Sequence, residues 1–264
     1  MKKYKLIAID IDGTLINDQK IILEETKKDI LKVHEKDVIV CICTGRGYPA
    51  ASPYVRELGI NIPLILYNGS RVRMSIDNTL IYNQVIDNNV AKTVFETIEK
   101  HNGTCCFWAN DALYFNKNDK YTVFYENLTK IKPNIITELT DELSCNVNKF
   151  IWFDTSANLV TIQKSILSTV SGINYFKSQS EILEIVPVGV SKGTTLKKLA
   201  DNLGINQEEV IAIGDDENDI SMIEYAGLGV AMGNAKEIVK DKANHITLTN
   251  NQNGVGEVIR KFIL

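Results

Sequence analysis

Four short, wholly apolar runs, each stopped abruptly by turn-forming or acidic residues, constrain this chain more than anything else in it. Leu6-Ile7-Ala8-Ile9 stops at Asp10, Val38–Cys43 at Thr44-Gly45-Arg46-Gly47, Leu64–Tyr67 at Asn68-Gly69, and Val210–Ile213 at Gly214. Runs this short without polar alternation suit strands buried on both faces, the situation of a parallel sheet covered by helices. Helical patterns fall between them. Glu24–Lys36 sets Ile30, Leu31 and Val33 among charges, and a further helix runs toward Leu58 and stops at Gly59, with Pro49 and Pro53 near its start. Leu196, Leu199, Ala200 and Leu203 recur at helical spacing before Gly204, and Leu228–Ala231 and His245–Leu248 read as two more strands. The expected fold is an α/β, doubly wound, parallel-sheet (Rossmann-like) core.

The middle of the chain has another texture. Asp87–His101 reads as a capped helix. Phe107-Trp108, Leu113–Phe115, Asn148–Phe153, Ile173–Phe176 and Glu181–Val186 read as strands with one solvated face, as in an antiparallel sheet. Residues 83–186 are therefore expected to form an inserted α+β domain, with 1–82 and 187–264 forming the core around it.

Apolar residues make up 44% and charged residues 23%, enough apolar content for a sizeable core. A net charge of −4 argues against a nucleic-acid surface but allows a locally positive pocket for a small anion. Five cysteines without a CxxC pair favour reduced thiols over a metal knot or disulfides. The apolar run after Met1-Lys2-Lys3 is too short for a signal core or a membrane span, so a cytoplasmic protein without a membrane partner is expected.

Chemistry enters where the strands stop. Asp10-Ile11-Asp12-Gly13-Thr14-Leu15 follows the first strand, and ligands of open α/β sheets sit beyond the carboxyl ends of strands. Two neighbouring carboxylates repel by several kcal/mol at roughly 4 Å and an effective dielectric near 20, and a hard cation such as Mg²⁺ relieves this. Asp-x-Asp alone reads as turn-formers and caps; the six-residue string in this position is expected by chance on the order of 10⁻⁴ from average residue usage. Thr44-Gly45-Arg46 supplies a hydroxyl and turn N–H groups suited to phosphate oxygens. Lys192 opens a helix, where it opposes the dipole but could hold an anion. Gly214-Asp215-Asp216-Glu217-Asn218-Asp219 gathers acids at another strand end, beyond what helix capping needs. His34, His101 and His245 lie away from these segments, and Trp108, Trp152 and Tyr121–Tyr125 suit a core better than a ligand cage.

In this order the segments resemble the four motifs of the haloacid dehalogenase superfamily. The long insertion, Val190-Ser191-Lys192-Gly193 and Gly229-Val230-Ala231-Met232-Gly233-Asn234-Ala235 are similar to its Cof-type phosphatases, which carry a larger, sheet-containing cap. The resemblance implies Asp10 as nucleophile and Asp12 as the acid that protonates the leaving alkoxide, its pKa raised, and then activates water. It implies phosphate and substrate contacts from Thr44, Gly45, Arg46, Asn68, Gly69, Lys192 and Asn218. Asp10, Asp12 (through its carbonyl), Asp215 and Asp219 would surround Mg²⁺. A dehalogenase proper would lack the acid at position 12, which favours phosphate chemistry. The activity so implied is a Mg²⁺-dependent phosphatase acting on a small phosphorylated metabolite, a sugar phosphate or phosphorylated cofactor. A phosphomutase using the same aspartyl-phosphate and a phospho-acceptor or effector-binding module are the alternatives.

Overall fold

The computed structural model describes residues 4–165 and 167–264. Fourteen strands occur among them: β1 (Leu6–Ile9), β2 (Ile39–Cys43), β3 (Pro63–Leu66), β4 (Arg71–Met74), β5 (Leu80–Asn83), β6 (Thr104–Ala109), β7 (Ala112–Phe115), β8 (Asn134–Ile135), β9 (Val147–Phe153), β10 (Ile173–Gln179), β11 (Ile182–Pro187), β12 (Val210–Gly214), β13 (Leu228–Ala231) and β14 (His245–Ile246). Contacts divide the chain into two units. One comprises Met1–Arg46, Ala51–Tyr82 and Ser191–Leu264; the other comprises Gly47–Ala50 and Asn83–Val190. The second unit runs past residue 186 because Val188 N–H bonds the Gly172 carbonyl and Val190 N–H bonds that of Pro187, tying this segment to its own hairpin.

The first sheet has the order β14-β13-β12-β1-β2-β3-β4-β5. From β14 to β3 every pairing is parallel, and β4 joins β3 antiparallel. The fold is thus α/β with a parallel-sheet core, and β4 and β5 extend it beyond the expected strands. β1 is wholly buried, as its unbroken apolar run requires. Leu6, Ala8, Cys41, Cys43, Val210 and Ala212 on one face pack with Leu196, Leu199 and Ala200 of the helix Lys192–Asn202. The chain runs outward from β1 to β2 and β3 on one side, and the later strands β12, β13 and β14 add on the other. The order therefore reverses between β1 and β12, and the crevice at such a reversal is where ligands of this architecture bind.

The second sheet has the order β10-β11-β9-β6-β7-β8. It is antiparallel except for the β7–β8 pair. Phe107, Phe150, Trp152, Leu183 and Ile185 on one face pack with Ala91, Val94, Phe95 and Ile98 of the helix Asn88–Lys100, which Asp87 caps through the Asn89 and Val90 N–H groups. On the other face, Tyr121 and Tyr125 of the helix Lys120–Thr129 pack on Phe153. Trp108 and Trp152 are fully buried, in keeping with core roles. All five cysteines are free thiols. No helix among the described residues is long and apolar enough to cross a membrane.

Candidate active site

Because β1 and β12 pair in parallel register, Ile9 beside Ile213, the residues that follow them emerge side by side. Asp10 N–H donates to the Ile213 carbonyl at 3.1 Å. Thr14 Oγ1 donates to Asp215 Oδ1 at 2.9 Å, linking residues 201 positions apart. Gly13 adopts φ +75°, and a β-carbon on it would overlap the Asp215 carboxylate, so both the turn and the close approach require glycine.

Lys192 is the first residue of its helix. Ser191 caps that helix through the Thr194 N–H and hydroxyl, and the Gly193 N–H is held by Ser221 Oγ at 3.0 Å. The ammonium lies 1% exposed between Asp10 Oδ1 at 2.7 Å and Asp219 Oδ1 at 2.6 Å. Burial works against its charge, but the two carboxylates outweigh burial and hold its pKa above the ordinary value. Asp219 Oδ2 accepts the N–H groups of Asp215 and Asp216 at 3.0 and 3.1 Å.

Ligand oxygens of Asp10, Asp215 and Asp219 lie within 4.8 Å of one another. Three carboxylates share one ammonium. Burial, with the charges of Asp219, Asp215 and Asp12, pushes Asp10 well above the usual carboxylate range despite Lys192. Burial and Asp219 push Asp215 up to about 7, against the Thr14 hydrogen bond. A hard divalent cation suits this cluster, since every donor is an oxygen and the excess charge is negative.

Asp12 departs from expectation in its ionisation. Its carboxylate lies outside the cluster, where Arg46 grips it from both sides: Nε to Oδ2 at 2.6 Å and Nη2 to Oδ1 at 2.7 Å, with Lys20 Nζ at 3.4 Å. Its pKa is lowered, not raised. Burial pushes it up, but the Arg46 and Lys20 charges and hydrogen bonds prevail. Arg46, expected on phosphate, bonds Asp12 here and lies against the Tyr54 ring, 5.2 Å from its centre. The acids whose side chains cluster are accordingly Asp10, Asp215 and Asp219, without that of Asp12.

The remaining residues gather around the Thr44 turn. Thr44 is buried at the end of β2, its Oγ1 accepting the Arg46 N–H at 3.1 Å and its carbonyl accepting Asn68 N–H at 3.1 Å. Tyr67 and Asn68 both have positive φ, 53° and 57°, a strained arrangement of the kind found at functional sites. Asn68 Oδ1 accepts from Asn218 Nδ2 at 3.0 Å, and a β-carbon on Gly45 would press on the same oxygen. The Gly69 carbonyl accepts Thr195 Oγ1 at 2.8 Å. Thr14, Thr195 and Ser221 also hold these loops through their hydroxyls, which the motifs do not show. Thr14 at least lies within the Asp10–Leu15 string, whereas the other two read as ordinary helix residues.

Comparison with known proteins places these residues in context. The family model described as haloacid dehalogenase-like hydrolase matches residues 7–259. The chain is 31% identical over 268 residues to the 5-amino-6-(5-phospho-D-ribitylamino)uracil phosphatase YitU of Bacillus subtilis, covering 98% of each. It is 33% identical over 263 residues to YcsE of the same organism, a phosphatase of the same named activity, covering 98% of this chain and 96% of that one. Among solved structures, a haloacid dehalogenase-like hydrolase from Bacteroides thetaiotaomicron superposes with a TM-score of 0.89 at 31% identity, over 98% of this chain and 99% of that one.

Proposed function

The chain belongs to the haloacid dehalogenase-like hydrolase family, and from that premise we propose that it is a Mg²⁺-dependent phosphatase working through an aspartyl-phosphate on Asp10. The observation that carries this reading is the three-acid cluster around Lys192. Asp10 and Asp215 would hold the ion. Asp219 has one oxygen filled by two N–H groups and the other on Lys192, and so has one position left to offer. When bound, the ion supplies charge neutralisation that lets a carboxylate approach a phosphate dianion.

The residues perform the rest. Asp10 attacks phosphorus, and the substrate's bridging oxygen departs with a proton from Asp12. Lys192 offsets charge on the transferring group, with Thr44, the Gly45 turn, Asn68 and Asn218 around its oxygens. Asp12 then takes a proton from water, which attacks the acyl-phosphate and frees phosphate and Asp10. Held ionised by Arg46, Asp12 at rest suits this second, basic step. For the first step Arg46 must release it, as an incoming phosphate anion would draw the guanidinium away, and Asp12 must then take up a proton, from solvent or from a monoanionic phosphate ester, before passing it to the leaving oxygen.

Substrates in this reading are small phosphorylated metabolites, with the inserted second unit selecting among them. The named activity of the two Bacillus phosphatases puts phosphorylated polyol chains first in a test, beside sugar phosphates. The test is phosphate release across such a panel, with Mg²⁺ or EDTA and with Asp10→Asn as blank. Release that needs both the ion and Asp10 is expected. Isomerised substrate without free phosphate would point to a mutase, and a phospho-form lasting minutes to an acceptor module; either result would overturn the proposal.

A further inference from the structure

The turn after β13 touches both acid-bearing loops. Met232 N–H donates to the Gly214 carbonyl at 3.0 Å, and Lys236 N–H donates to that of Asp215 at 3.3 Å. Lys236 Nζ pairs with Asp216 at 2.7 Å and Glu217 at 3.1 Å. Between these contacts, Asn234 Nδ2 donates to the Gly13 carbonyl at 2.8 Å, while its Oδ1 accepts the Asn250 N–H at 2.9 Å. Asn250 Nδ2 in turn donates to the Ile16 carbonyl at 3.1 Å, so the same strap holds the Asp10–Ile16 loop at two carbonyls.

The turn does not need the Asn234 side chain for its own closure, which comes from Ala235 N–H on the Met232 carbonyl at 2.9 Å. Nor does that side chain serve the core, for Asn234 is exposed. Both ends of its amide are spent on reaching other loops. Gly13 is the position where the first loop lies against Asp215 with no room for a β-carbon, so a small shift there changes the separation of the two acids directly. Groups that orient ligands without touching the metal commonly matter 10–100-fold in metal affinity.

We propose that Asn234 is a positioning residue that fixes the spacing between the Asp10 and Asp215 loops, and thereby the divalent-ion site. This rests on the reading of Asp10 and Asp215 as ion ligands. The test is an equilibrium Mn²⁺ titration of the full chain, followed by electron paramagnetic resonance without substrate, with melting temperatures measured in parallel. Asn234→Ala should bind Mn²⁺ about tenfold more weakly while melting as the wild type does. Asn234→Asp keeps the acceptor for Asn250 N–H but cannot donate to Gly13, and it adds a negative charge. Weakened binding in this variant too supports a role in spacing, whereas tighter binding would mean that charge alone matters and would overturn it. Unchanged affinity in both variants, with the wild type binding normally, overturns the positioning role and leaves the ion site standing. Failure of the wild type itself to bind Mn²⁺ sinks the reading on which the proposal rests.

Discussion

Both units bury charge, one at strand ends and the other within a sheet, but they balance it differently. In the first, Asp10, Asp215 and Asp219 surround a single ammonium, Lys192, and burial together with the neighbouring carboxylates raises Asp10 and Asp215 above the ordinary carboxylate value. In the second, Lys149 on β9 pairs with Glu184 on the adjacent β11 at 2.9 Å. A matched pair can be kept for structure alone. An unmatched cluster costs stability, and its place at the reversal of strand order is where chemistry would use it.

The sharpest way to break this contrast is to remove one charge from each unit. Asp10→Asn should lower phosphate release by about 10⁴-fold or more, as loss of a nucleophile does. The metal-free protein should nevertheless melt no lower than wild type, because Asp10 is a group whose ionised form the fold disfavours. Lys149→Met should do the reverse. Breaking this buried ion pair by removing its cation should cost about 3–5 kcal/mol in denaturant unfolding, with turnover of a small aryl phosphate retained per folded molecule. Lys149→Met with Glu184→Leu should recover most of that stability. If Asp10→Asn unfolds the chain and Lys149→Met leaves its stability unchanged, the assignment of structure to one pair and chemistry to the other is wrong.

A smaller effect sharpens the comparison within the first unit. Arg46→Met removes the cation that keeps Asp12 below the usual carboxylate value, so the ionisation of Asp12 moves to higher pH. Turnover should fall by about 10²-fold, on the scale of impaired acid–base catalysis, and the limb of the pH–rate profile that follows Asp12 should shift upward. A profile lowered without any shift would mean that Arg46 does not govern Asp12.

Much of this site was legible in the sequence because most of its residues follow a strand that is recognisable by itself. Uninterrupted apolar runs announced β1, β2, β3 and β12, and the acids stand directly after two of them. What escaped depends on partners distant in sequence. Asp12 and Arg46 are 34 residues apart, and nothing in either segment shows that the guanidinium reaches the acid. β4 and β5 went unread because Arg71-Val72-Arg73-Met74 alternates over four residues only and Leu80-Ile81-Tyr82 is an apolar run of three, each too short to stand out. Pairing of β4 with β3 supplies the order that periodicity does not show. The helix Lys120–Thr129 was obscured by its aromatics, since Tyr121 and Tyr125 point to a core without indicating which element carries them.

The smallest expected effect tests whether the excess charge of the first unit answers to an ion. Asp215 is raised to about 7, so between its ordinary value near 3.8 and that pH the folded chain keeps a proton that the unfolded chain has released. Its contribution to stability is full below that window and is lost as pH rises through 7. A divalent ion requires the deprotonated oxygens and binds the folded chain, adding about 1.4 kcal/mol at ten times its Kd. In EDTA, the melting temperature of the wild type minus that of Asp215→Asn should therefore fall between about pH 5 and pH 7.5. Mg²⁺ should raise the wild type more at the higher pH, and Lys149→Met, altered in the other unit, should show the same Mg²⁺ increment as wild type. An increment that is equal at both pH values would mean that the ion does not take the place of the proton on Asp215, and the cluster would lose its standing as the counterpart of the matched pair.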